Sequence, residues 1–295
     1  MPTGEHGLAY SHDGDDDMDI VQVIQPGGLA AIAKSETESQ LDAAHKYPRK
    51  ISQFMADAQA MVSRSSEVAA MCYYTIPRGG KKIMGPSVRL AEIVASAYGN
   101  LHIGARPIDI GETDVTCQGI AWDLQRNLRI TVEKKRRITN SNGERFNEDM
   151  IMNTINACSS IVLRDATFRV VPRTYVQELF DLARQVAVGE AKAIGVRRKK
   201  TVDRLIELGA TEERILATFK RTDVEGITPD DLEKLIGFGT AIMEGSTTVD
   251  KCFPPLAAEA PAASAPEGQR MSLGGEKKPT VKIDTSAVRE PGSEG

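Results

Sequence analysis

The sequence predicts an α+β fold whose centre is a helix, a three-stranded antiparallel meander and a second helix, with flanking helices and a small C-terminal helical module. Three observations carry this prediction. Between Leu101 and Ile138, three strand-like runs are separated by short stretches of turn chemistry. The segments on either side, 85–100 and 150–171, repeat apolar residues at helical spacing. From Thr201 to Cys252 the pattern changes to short helices with polar caps.

Taken in order, residues 1–38 are polar and hold an acidic run, Asp13–Asp19, broken only by Gly14 and Met18. This composition predicts a disordered acidic N-terminus, with a transient strand at Ile20–Ile24. A helix is expected from Ser39. After Pro48 it continues from Arg49 to Met71 on the apolar stripe Ile51, Phe54, Met55, Ala58, Met61 and Val62. Residues 72–85 read as a hairpin around Pro77-Arg78-Gly79-Gly80. Ser87 is a natural N-cap for the helix carrying Leu90, Ile93, Val94 and Ala97, and Gly99 stops it.

The strands follow at 101–110, 115–124 and 128–138. In the third, Leu128, Ile130 and Val132 share one face while Arg129, Thr131 and Glu133 share the other, as a half-buried sheet requires. A polar loop turns at Asn140–Gly143. The next helix lines up Ile151, Ile155, Cys158 and Val162, and Pro172 interrupts it. An amphipathic helix over Thr174–Ala193 precedes a basic junction at Arg197–Lys200. Thr211 and Thr228-Pro229 then open helices of the C-terminal module. The expected organisation is a disordered segment over 1–38, a core over 39–196, a helical module over 197–252 and a disordered, Pro/Ala/Gly/Ser-rich tail over 253–295.

The net charge of −4 conceals an asymmetry. Residues 64–205 carry roughly +8, and the segments before and after carry roughly −6 each. A basic centre suits a polyanionic ligand. The four cysteines, Cys72, Cys117, Cys158 and Cys252, show no metal-binding spacing and read as reduced apolar residues. With no secretory signal and no apolar run near 18 residues, the expected location is the cytoplasm, without a membrane partner.

Arg89, at the start of the first central helix, is followed ten residues later by Gly99, with Tyr98 immediately before it. Toward the end of the second central helix stand Val162-Leu163-Arg164. In these features the chain, over about 70–185, resembles the single-strand annealing proteins. That recombinase superfamily includes phage RecT, Redβ and Erf and the eukaryotic Rad-type annealing ring. The Rad-type members carry an arginine, an aromatic and a glycine at the first set of positions. At the second they carry Ala-Leu-Arg after two basic residues, where this chain has Ser160 and Ile161.

The resemblance implies a Rad-type annealing fold and ATP-independent annealing of complementary single strands in phage-type homologous recombination, in the host cytoplasm for a phage-encoded chain. It further implies a homo-oligomer, ring or filament, on single-stranded DNA. The C-terminal module would bind a cognate exonuclease or the host single-strand-binding protein.

The DNA-binding candidates are Arg89 and Arg164 in an inner groove, with Arg169 and Arg173 beside them. Arg78, Lys81, Lys82 and the Lys134, Lys135, Arg136 and Arg137 run would guide a second strand. Plainer readings stand beside these. The Lys134–Arg137 run also protects a strand end from edge pairing, and Arg164 and Arg169 also relieve a helix dipole. No cofactor is expected, since Gly79–Gly85 lacks the phosphate-loop spacing and places Ile83 where a magnesium-binding hydroxyl belongs. Two alternatives remain: a nucleic-acid-binding regulatory module that does not anneal, and a metal-dependent nuclease using Asp109, Asp114, Glu148 and Asp149, which lack a recognisable nuclease spacing.

Overall fold

Residues 26–189 and 193–256 are described by the structure, a computed structural model. The elements run α1 (Pro26–Lys46), α2 (Ile51–Val62), α3 (Ser66–Met71), β1 (Tyr73–Arg78), β2 (Lys81–Pro86), α4 (Val88–Tyr98), β3 (Leu101–Ile110), β4 (Asp114–Asp123) and β5 (Leu128–Arg137). They continue with α5 (Glu148–Val170), α6 (Arg173–Val188), α7 (Ile194–Glu207), α8 (Glu212–Phe219), α9 (Pro229–Met243) and α10 (Val249–Cys252). The architecture is α+β: a two-stranded hairpin, and a meander in the order β3-β4-β5 packed against α5.

Local chemistry explains the boundaries. The β1–β2 hairpin closes through Gly79 and Gly80, both at positive φ, which places Arg78 directly opposite Lys81. Ser87 Oγ accepts from the Leu90 N–H and caps α4. Asn147 does the same for α5 through the Met150 N–H. Thr228 and Asp231 form a reciprocal capping box at the start of α9.

Alternation in β4 sends Val115, Cys117, Gly119 and Ala121 toward α5. Ile151, Ile155, Cys158, Val162 and Ala166 meet them, all buried. The approach is close because Gly119 has no side chain: a Cβ there would lie 2.2 Å from the Val162 carbonyl oxygen.

A second core joins α2, α3, α4, α6 and β1 around Phe54, Tyr73, Leu90, Tyr98 and Leu179. Phe54 and Tyr98 meet edge to face, 5.0 Å between centroids. Beneath them Arg49 donates to both oxygens of Asp123, at 2.5 and 2.6 Å. The Arg49 and Asp123 side chains are 5% and 1% exposed. The Gln125 and Arg126 N–H groups also donate to Asp123. This buried pair ties the segment before α2 to the end of β4. All four cysteines are unpaired and buried, and burial pushes the Cys72 and Cys158 thiols up to about 12.

Several sequence expectations are corrected. The first described helix begins at Pro26 rather than near Ser39, so residues 26–38 are helical. The expected helix over 49–71 is two helices, because Ser65 leaves the helical path and caps α3. Arg197–Lys200 lies inside α7 and is not a junction. Phe253, assigned to the tail, is fully buried and meets Phe238 edge to face at 5.5 Å.

α9 packs on β1, where Gly237 lets the helix reach the Thr75 hydroxyl and backbone. The acidic run, the strand at Ile20–Ile24 and the tail beyond residue 256 lie outside the described residues. No described helix is long and apolar enough to cross a membrane.

Candidate nucleic-acid interface

α5 presents two faces. The apolar one covers the meander; the other repeats Asn153, Asn156, Ser160 and Arg164 at helical spacing. Asn153, Asn156 and Ser160 of this stripe look across a groove of about 660 Å³ toward the first turn of α4 and the last turn of α9; Arg164 lies beyond its lining. Val88, Arg89, Asn153, Asn156, Ser160, Arg204 and Glu244 are among its lining residues.

Arg89 is 58% exposed at its side chain and donates to Glu92 one turn along, at 2.8 Å. Arg164 is held more firmly. Its guanidinium carbon lies 4.9 Å from the centre of the Tyr74 ring, and its Nε and Nη2 donate to Asp165 at 3.1 and 2.9 Å. The two arginines, 75 positions apart in sequence, share an electrostatic neighbour, the Glu244 carboxylate. Burial pushes that carboxyl up. Arg164, the Val88 N–H at the head of α4 and Arg89 pull it down, Glu92 pushes it up again, and the net is above the ordinary value.

The basic end of β5 splits by strand alternation. Lys134 and Arg136 point to the α5 side. Lys134 pairs with Asp165 at 3.7 Å, so this carboxylate links it to Arg164. Arg136 places both terminal nitrogens on the Gly245 carbonyl, at 3.1 and 3.0 Å. Lys135 and Arg137 lie on the opposite sheet face, where Lys135 pairs with Asp114 at 3.4 Å. Arg164 and Lys134 therefore share Asp165, Arg136 holds the Gly245 carbonyl next to Glu244, and Arg89 pairs with Glu92 on α4.

The remaining candidates stand apart from these cations. Arg78 and Lys81 are exposed at the hairpin tip. Lys82 turns its ammonium onto the Phe219 ring of α8, 3.3 Å from the centroid, and desolvation lowers its pKa. This cation anchors the C-terminal helices to the hairpin. Arg169 is exposed in the last turn of α5, and Arg173 borders a smaller hollow of about 230 Å³ with Pro86 and Phe168.

Sequence reasoning missed Arg204, Asn153, Asn156 and Ser160. The three α5 residues were legible as the polar positions complementary to the apolar stripe. Arg204 reaches the groove from α7 only through the tertiary fold. Among the described residues, no group of three or more His, Cys, Asp or Glu side chains is placed to hold a metal ion. The chain matches no protein-family model, and comparison with curated proteins and with solved structures likewise found no match.

Proposed function

We propose that the protein binds single-stranded DNA along the groove between α4 and α5 and, as a homo-oligomer, anneals complementary strands without ATP. The observation that carries this reading is that Arg89 and Arg204 line one groove with the polar face of α5, while Arg164, outside that lining, acts on the same Glu244 carboxylate as Arg89. Lys134 and Arg136 reach the same neighbourhood from β5. Annealing breaks no bond. Complementary strands repel through their phosphates, and a protein that neutralises the backbone while leaving base edges free lowers that barrier.

Four cations per subunit, each already paired with a protein group, make a weak site. A ring or filament turns many weak grooves into one track by effective concentration. In this reading the core is a Rad-type annealing fold. Arg89 and Arg164 hold backbone phosphate, Arg169 and Arg173 extend the path, and Arg78, Lys81, Lys135 and Arg137 steer a second strand. Lys82 joins this second set from its place over the Phe219 ring. The binding of an exonuclease or a single-strand-binding protein by residues 197–252 rests on the family resemblance alone.

The test is titration of a labelled oligothymidylate by fluorescence anisotropy across a salt series. Arg89→Ala and Arg164→Ala should each weaken binding and flatten the slope of log affinity against log salt by about 0.7 for each phosphate that is no longer neutralised. Urea unfolding of the same variants checks that they remain folded. Unchanged affinity and slope in both folded variants would remove the assignment.

A further inference from the structure

The groove assigned above to single-stranded DNA is not open to it along its whole length. The C-terminal end of α9 closes one side of it. We infer that Glu244 and Gly245 occupy a phosphate position of the single-strand track, as an internal competitor that withdraws when the strand seats. This inference rests on the nucleic-acid reading of the groove and adds a regulatory element to it.

Glu244 has the features of an anion placed for its charge and poorly served by the fold. Its Oε1 is buried and has no hydrogen-bond partner, and neither oxygen forms an ion pair within 4.0 Å of a described cation. Arg89 and Arg164 face it, yet each is in direct contact with a different carboxylate, Glu92 and Asp165 respectively. The Val88 N–H at the head of α4 draws the carboxyl's pKa down by hydrogen bonding, in the field of a helix N-terminus, and leaves Oε1 unsatisfied. A carboxylate contributing chiefly to stability would have both oxygens satisfied, because a buried charge with an unsatisfied oxygen is costly. A phosphodiester could contact more than one of these groups, since its two free oxygens are splayed around a tetrahedral phosphorus.

The next residue behaves the same way. Arg136 places both terminal nitrogens on the Gly245 carbonyl, a neutral acceptor standing where an anionic oxygen would bind more strongly. Gly245 is also pressed against α5, with space for a Cβ only 3.1 Å from the Ala157 methyl. Gly245 thus holds Arg136 by hydrogen bonds, and Glu244 lies in the field of Arg89 and Arg164 without pairing with either. The acidic C-terminal part of the chain folds back on the basic centre at the point where polyanion binding is assigned.

Glu244→Gln keeps the shape and removes the charge. In the full chain, titrated with fluorescein-labelled oligothymidylate, it should bind about tenfold more tightly than the parent, roughly 1.4 kcal/mol. Its salt slope should be steeper, because one more backbone phosphate is neutralised by protein cations. Glu244→Ala should do the same, and neither should lower the melting temperature.

Equal affinity of parent and Glu244→Gln, in a protein whose binding is weakened by Arg89→Ala and Arg164→Ala, would overturn the competitor role and leave the groove assignment standing. A fall in melting temperature with unchanged affinity would mark Glu244 as structural and overturn it as well. Absence of oligothymidylate binding by parent and variants alike would overturn the groove reading and this inference with it.

Discussion

Gly119→Ala tests the contact that positions the interface. An added Cβ would lie 2.2 Å from the Val162 oxygen, 2.4 Å from its carbonyl carbon and 2.9 Å from its Cβ. Two of these three atoms are backbone, so no rotamer change relieves the clash. To restore ordinary contact, α5 must retreat from β4 by roughly 1 Å, and a gap of that size forfeits about a quarter to a half of each dispersion contact. The packing at stake is that of Val115, Cys117 and Ala121 against Ile155, Cys158, Val162 and Ala166. The cost should reach or exceed about 3 kcal/mol, the upper end for overpacking.

Gly104→Ala is the control. It lies in the same sheet with nothing within 4 Å of its would-be Cβ, and it changes the unfolded chain in the same way. Its effect should stay within about 1 kcal/mol. Urea midpoints with a common m-value measure both. A difference between the two variants below about 1 kcal/mol would refute the claim that backbone contact at Gly119 sets the sheet–helix distance. The same retreat moves the polar face of α5 toward α4 and α9, so it should narrow the groove and weaken oligothymidylate binding.

Asp123→Ala leaves the Arg49 guanidinium buried without its partner and should cost about 3–5 kcal/mol in urea unfolding. A double-mutant cycle with Arg49→Met should recover part of that loss. Burial pushes the Asp123 carboxyl up, but Arg49 and the N–H groups of Arg126 and Gln125 outweigh burial and hold it below its ordinary value of 3.8. Its stabilisation is then complete above about pH 3.8 and lost as pH falls through the lower folded value, so acid unfolding of the Asp123→Asn variant should lack that component. Gly237→Ala, whose Cβ would meet the Thr75 hydroxyl oxygen at 2.1 Å and its backbone nitrogen at 2.9 Å, should loosen α9 from β1. Faster hydrogen exchange across α9 would show this, and unchanged exchange would count against a close α9–β1 contact.

The parts of the fold legible in sequence are those fixed by local chemistry. The Gly79-Gly80 turn sets the hairpin, Ser87 the start of α4, alternation the meander, and Thr211 and Thr228 the starts of α8 and α9. Where local signals compete, the reading failed. Polar residues over 26–38 suggested disorder, although Pro26 at a first-turn position and the Ala-rich run to Ala33 favour helix. Ser65 interrupts an apolar periodicity that otherwise continues to Met71.

The interface was legible as a set of cations but not as a place. Lys134 and Arg136 are separated from Lys135 and Arg137 by strand alternation, which sequence does show. The turn of Lys82 onto Phe219, and the arrival of Glu244 and Gly245 beside residues more than 70 positions earlier, depend on how α9 lies across the hairpin and α5. Nothing local records that geometry.

The measurement that bears most directly on the central claim is the rate at which two complementary labelled oligonucleotides form duplex, followed by energy transfer without nucleotide or divalent metal. The protein should raise that rate above the spontaneous one and migrate as an assembly larger than a single chain, and Arg89→Ala with Arg164→Ala together should return the rate to the spontaneous value. A rate unaffected by the protein, or metal-dependent cleavage of either strand, would contradict the account.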